Sequence, residues 1–245
     1  MRVNWNYIKG FVLLVVVCFL YAFASSRNYA KSVSEIEVNF LGDNNLFVTH
    51  ETVNKLLIQK GETVTNVPKE ILDLNGLENT LKSNAMIKSA EVYLAVNGKV
   101  RADVIQRKPI ARVSTNASYY IDDEGEFMPL SINYTAHVPL VTGHVEKNNL
   151  ANIYTVARKI AGDEFLKTHI VEIQQKEDQT LSLKTRVFDF EIVLGDLKDL
   201  DKKINNLKAF YQKAKKDETL ETYSKVNLQF NNQVVCTKKI NHGGQ

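Results

Sequence analysis

The residues with which this chain could do chemistry are few and badly spaced for it. Histidines stand at positions 50, 137, 144, 169 and 242, and the cysteines are Cys18 and Cys236. A zinc-hydrolase helix that opens on His-Glu needs its second histidine one turn on, on the same face. Here His50-Glu51 is followed by Asn54 at that place. The other histidines have no partner at ligand spacing, so no metal site is expected. Asp122, Asp123, Glu124 and Glu126 are the densest carboxylates, a set that could chelate calcium or divide acid and base roles. Gly125 among them supplies the positive φ of a tight turn, and the stretch reads first as a β-turn. Cys236 lies in a strand-like stretch with no base beside it, which makes it a packed thiol rather than a nucleophile. No G-x-S-x-G elbow, P-loop or G-x-G-x-x-G is present. The residues therefore predict no catalytic, cofactor-binding or metal-binding set, and a protein that is not an enzyme.

Charge and composition narrow the remaining classes. The net charge is +3, and Lys202, Lys203, Lys208, Lys213, Lys215 and Lys216 are interleaved with Asp199, Asp201 and Asp217. That is a solvated helix face, not the basic stripe a nucleic-acid binder needs, and no small-molecule site is indicated. Apolar residues make up 44% of the chain, enough for a folded core without crosslinks. Residues 11–24 (FVLLVVVCFLYAFA) carry no charge and are flanked by Arg2 and Lys9 before and Arg27 and Lys31 after. As a helix this run covers about 21 Å, short of the roughly 30 Å hydrocarbon core. With Trp5, Tyr7 and Ile8 added and Lys9 snorkelling, residues 5–24 can span a bilayer. The competing reading is a cleaved signal, for which Ala22-Phe23-Ala24 has the small-x-small form. Either way the remainder is exported, and Cys18 and Cys236 cannot pair within one chain.

Two patterns follow the leader. The first opens on a strand within residues 32–40 ending IEVNF, then a helix capped by Thr49 with Val53, Leu56 and Leu57 inward, ending before Gly61. A turn with Pro68 leads to a second helix over 71–84, with Ile71, Leu74, Leu77 and Leu81 on one face and Gly76 against it. Strands 90–96 and 99–106 then flank Asn97-Gly98, a type I′ hairpin signal. The second pattern is richer in strands: 111–113, 118–121, an end at 139–143, a helix over 150–161, then strands 170–174, 181–185 and 188–194. Leu197, Leu200, Ile204, Leu207 and Phe210 recur at helical spacing. Residues 224–230 and 233–238 form a last strand pair around Asn231-Asn232, and 241–245 is a polar tail.

This ordered set resembles the FtsQ/DivIB family of bacterial cell-division proteins. The resemblance rests on IEVNFLG at 36–42, on LKSNAMIKSAEV at 81–92 where a helix gives way to a strand, and on VIQRKPIA at 104–111. It continues in YIDDEG at 120–125 followed by PLVTG at 139–143, and in VNLQF at 226–230. Two departures stand out: Gln106 where an acid is more usual, and Asn227 and Gln229 where the family has charges. The resemblance implies an α+β chain with a short cytoplasmic tail and uncleaved single transmembrane helix (1–31), a POTRA domain of β-α-α-β-β order (32–107), a mixed β domain with a C-terminal amphipathic helix (108–240) and a tail. It further implies a non-enzymatic divisome scaffold in the inner membrane at the septum, its C-terminal bulk periplasmic. Such a scaffold binds FtsB and FtsL and regulates septal peptidoglycan synthesis. The physical means expected is addition of a partner strand to an edge near the C-terminus, with Tyr223, Ser224, Lys225, Asn227, Gln229 and Phe230 as candidates. A second docking surface is expected on the second helix of the POTRA domain, at Glu78 and Lys82. The rival classes are a POTRA-containing outer-membrane assembly or transport factor, and a secreted hydrolase using Asp122 to Glu126.

Overall fold

The computed structural model describes residues 5–29, 36–43, 45–58, 72–95, 97, 99–115, 117–146, 149–230 and 232–240. The expected features at Gly61, Pro68, Ile71, Gly98, Asn231 and 241–245 lie outside them. The N-terminal helix α1 runs Trp5–Tyr29. Its described side chains are those of residue 5 and of 8–23, and from Phe11 to Phe23 the large apolar ones are exposed. Among the described residues no helix is long and apolar enough to cross a membrane.

The chain divides into two units, Met1–Gln106 and Arg107–Gln245. In the first, β1 (Ile36–Leu41), α2 (His50–Ile58), α3 (Leu74–Lys82), β2 (Ile87–Leu94) and β3 (Val100–Gln106) follow the expected order. The sheet order is β1-β3-β2, with β3 parallel to β1 and antiparallel to β2. Val53 and Leu57 of α2 and Leu77 and Leu81 of α3 are buried, as are Val92, Val100, Ala102 and Val104 of the sheet. The second helix is shorter than its apolar spacing suggests, because Asp73 starts it: the Asp73 carboxylate accepts from Gly76 N–H at 2.9 Å. Gly76 is there for this cap, since a Cβ would press into the Asp73 carboxylate.

The second unit is a nine-stranded sheet with helices. It comprises β4 (Pro109–Ser114), β5 (Ser118–Asp122), β6 (Phe127–Met128), β7 (Leu140–Gly143), α4 (Ala151–Ala161), α5 (Glu164–His169), β8 (Ile170–Gln175), β9 (Leu181–Thr185), β10 (Glu191–Gly195), α6 (Leu200–Lys216), a 3-10 turn (Leu220–Thr222), β11 (Tyr223–Asn227) and β12 (Val235–Lys238). The sheet order is β12-β11-β10-β9-β8-β7-β4-β5-β6. Ile153, Val156, Ala157 and Ile160 of α4 and Ile204, Leu207, Tyr211 and Ala214 of α6 pack with Val141, Ile173, Leu183, Ile192 and Val226 in one core. The short helix α5 escaped periodicity; Asp163 specifies it by accepting from Phe165 and Leu166 N–H. The strand expected at 188–194 begins only at Glu191. Phe188 and Phe190 belong to the turn before it, held by Phe188 N–H donating to Thr185 Oγ1 at 3.2 Å.

Candidate partner-binding edges

The C-terminal edge is built by a crossover. Strand β10 feeds α6, and α6 returns the chain to β11, which pairs parallel to β10 with Ile192 opposite Val226. Lys203 fixes where α6 begins: its ammonium, on a residue 8% exposed, donates to Leu194 O (2.9 Å), Asp196 O (2.7 Å) and Asp196 Oδ1 (2.8 Å). Strand β12 then folds back antiparallel on β11, with Cys236 opposite Val226 and Val235 opposite Asn227.

In this arrangement the outermost strand is β12. Tyr223, Ser224, Lys225 and Asn227 sit on β11, which has β10 on one side and β12 on the other. Lys225 and Asn227 are in register with both neighbours and Tyr223 with β12, so β11 is an inner strand. The open edge is Val235–Lys238. Lys239 N–H donates inward to Thr222 O at 2.7 Å. By the alternation of an antiparallel strand, Thr237 and Val235 also face β11, and the Cys236 backbone and the Lys238 N–H turn outward, while Lys238 O accepts from Ser224 Oγ at 3.4 Å. The residues named from sequence instead support this edge. The Tyr223 ring meets Phe210 of α6 at 5.4 Å, and rings continue through Phe190, Phe188, Tyr211, His169 and Phe165. Ser224 Oγ donates to Thr237 O at 3.2 Å. Lys225 ends a cross-strand charge row, Glu172–Lys184–Glu191–Lys225, with Lys184 3.0 Å from Glu172 and Lys225 3.9 Å from Glu191. Gln229 lies against Gly195 (φ 70°), where a Cβ would press into the Gln229 side chain, and Phe230 is exposed after the strand. Cys236 packs inward against the core, and burial pushes its thiol up from the ordinary value, away from thiolate reactivity.

On α3, Glu78 and Lys82 do meet: Lys82 Nζ is 3.0 Å from Glu78 Oε2. The other carboxylate oxygen accepts Val92 N–H of β2 at 3.0 Å. Glu78 is thus tied within its own domain, while Asn75, Asn79 and Lys82 remain exposed.

The carboxylate stretch resolves into a turn. The Asp122 side chain is fully buried and accepts from Glu124 N–H (3.0 Å) and Glu126 N–H (2.8 Å) through Oδ1 and from Arg107 (2.6 Å) through Oδ2. Gly125 has φ 86°, the turn geometry expected of it. Among the described residues no group of His, Cys, Asp or Glu could hold a metal ion. A cleft of 760 Å³ between the end of α4 and the start of α6 is lined by Arg158, Lys159, Asp163, Asp199, Asp201 and their neighbours. Its Lys159 is paired with Asp201 and its Asp163 with Lys208, so these charges are matched internally.

Comparison with known proteins places this architecture. A family model described as FtsQ/DivIB, C-terminal related, matches residues 108–237, more than half of the chain. The chain belongs to the FtsQ/DivIB family. A POTRA-like domain model matches residues 33–105 ahead of the FtsQ/DivIB region. The chain is also similar to the cell division protein DivIB of Clostridium tetani (strain Massachusetts / E88), at 24% identity over 225 residues, covering 84% of this chain and 76% of the relative. The FtsQ/DivIB match takes in every strand of the second unit as far as Thr237. The signal for β12 as the outer strand was present in the sequence. A strand-helix-strand unit makes neighbours of β10 and β11, which leaves the later hairpin strand outside.

Proposed function

We propose that this chain is a membrane-anchored, non-enzymatic cell-division scaffold, held by α1 with the rest on the outer side of the cytoplasmic membrane. It collects single-span division proteins of the FtsB and FtsL type at the septum. The observation that carries the binding mode is the β12 edge: an exposed strand of four residues at the end of a nine-stranded sheet, backed by the Tyr223–Phe210 aromatic contact. An extended partner segment adds to Cys236 and Lys238 through backbone hydrogen bonds, and Val235 and Phe230, both exposed, supply apolar contact beside it. The exposed side of α3, at Asn75, Asn79 and Lys82, is the second docking surface, with Glu78 present as the ion partner of Lys82. Support for the anchor comes from the length of α1, 25 residues, or about 37 Å of helix, and from the uncharged run 11–24 within it.

The test is Lys238→Pro in the full chain. Proline removes the outward N–H of an edge strand without disturbing the ladder to β11, so melting should change little. Capture of an FtsB-type partner should fall by about tenfold or more, the weight of one lost backbone bond and the steric block beside it. Unchanged capture by a normally melting variant removes β12 from the reading.

A further inference from the structure

A sheet edge with free backbone donors is a liability unless something covers it. Among the described residues of the first unit, β2 is such an edge, since it pairs with β3 alone. Ala95 N–H donates to Lys99 O across the hairpin at 2.9 Å, facing β3. Stepping back by twos, Tyr93 and Glu91 also face β3, and Leu94, Val92 and Ala90 turn their backbone groups to the free side. Val92 is the middle one of these. Its N–H does not meet water: it donates to Glu78 Oε1 at 3.0 Å. The carboxylate is fixed from behind, because Oε2 is paired with Lys82 one turn along α3 at 3.0 Å. Toward its start β2 carries a register shift between Ile87 and Ser89, which spoils regular pairing there. Glu78 Oε1 therefore occupies the place that a carbonyl oxygen of an added strand would take, at the centre of the regular stretch Ala90–Leu94 of this edge. It also sets a negative charge opposite any approaching carbonyl. The carboxyl is held below the usual range, first by the Val92 N–H and then by Lys82, so it stays ionised near neutrality.

We infer that Glu78 is a guard residue: its carboxylate closes the β2 edge of the POTRA-like domain and keeps extended segments, including β2 of a second copy, from adding there. This separates two kinds of edge in one chain, independently of what docks on β12. A merely structural Glu78, stapling α3 to β2, predicts lower melting on removal and nothing gained. A guard predicts a gain of binding.

The experiment uses the full chain in detergent, with a fluorescent peptide of residues 87–94 (IKSAEVYL) as probe. Peptide anisotropy and amide exchange at Val92 are measured together. Wild type should show a protected Val92 amide and no saturable peptide binding. Glu78→Ala should lose that protection while the β3-facing amides of Glu91 and Tyr93 keep theirs, and should bind the peptide about tenfold or more above wild type. Glu78→Gln should remain closed, because its amide oxygen still accepts from Val92. Should Glu78→Ala lose its melting transition, Glu78→Asp withdraws the acceptor by one methylene while keeping the charge, and the same gain is expected of it. Peptide binding to wild type as tight as to Glu78→Ala overturns the inference. So does a folded variant whose Val92 amide is deprotected without any gain in binding, and so does a gain in Glu78→Gln.

Discussion

At the scale of single residues, side-chain polarity is set by what the neighbouring backbone needs. Gln106 departs from the acid that the family resemblance leads one to expect, and its hydrogen bonds supply a reason. Its Oε1 accepts from Phe47 N–H (2.9 Å) and Val48 N–H (3.0 Å), and its Nε2 donates to Val48 O (2.8 Å), all buried. A carboxylate could serve the two donors but would repel the Val48 carbonyl. Gln106→Glu should therefore cost roughly 1–3 kcal/mol of unfolding free energy in denaturant titration, despite being nearly isosteric. A loss below about 0.5 kcal/mol would contradict this account. Asp163 offers the pH counterpart. Burial by itself would raise its carboxyl, but Lys208 and the Leu166 and Phe165 N–H groups outweigh that and hold it below the ordinary value. A depressed carboxyl contributes stability that is fully present above its unfolded value, about 3.9, and that is lost as pH falls through the folded one. Melting temperature should hold from pH 7 to 5 and decline below about 4. Asp163→Asn should be less stable at neutrality and show a shallower acid decline.

At the scale of elements, a few turns decide where strands can lie. Gly143 ends β7 at φ 89°, and a Cβ there would press into the backbone carbonyl of Gln175 on β8. That oxygen cannot swing aside, because it accepts His144 N–H at 2.9 Å. Gly143→Ala should thus cost roughly 2–4 kcal/mol, strain and overpacking together. At Gly195 the obstructing atoms belong to the flexible Gln229 side chain, so Gly195→Ala should cost less than Gly143→Ala in the same denaturant titration. A reversed order would show that the β7–β8 approach is looser than described. Caps acted in the same decisive way: Asp73 and Asp163 set helix starts that apolar spacing alone misplaced or missed.

At the scale of the whole molecule, the chain carries two sheets with differently managed edges and an apolar N-terminal helix. The two edges at issue differ in what covers them: β2 has Glu78 on its central amide, and β12 has no such cap among the described residues. Removing residues 233–245 should strip β12, uncover the outer side of β11 and the packing of Val234 and Cys236, and lower melting. It should also abolish capture of an FtsB-type partner, whereas Lys238→Pro loses capture with its melting retained. Replacing residues 1–31 should release the chain from membranes in alkaline carbonate extraction; retention in the pellet would count against α1 as the anchor.

Local pattern was enough for the element order of the first unit, the longer helices and most strands of the second, and the pairing of β2 with β3. Each is encoded in local periodicity or in one or two turn residues, and burial on one face follows from spacing alone. It also carried the family signature, because that signature is an ordered succession of such local features. What required the folded chain was where the Glu78 carboxylate goes and that Asp122, in its expected turn, is buried against Arg107. Those outcomes depend on pairing between segments far apart in the chain, Glu78 with Val92 and Arg107 with Asp122. Hydrogen bonds of this kind have a direction that side-chain alternation does not record. A period of two tells which face of a strand is buried and is silent about which of its two edges has a neighbour.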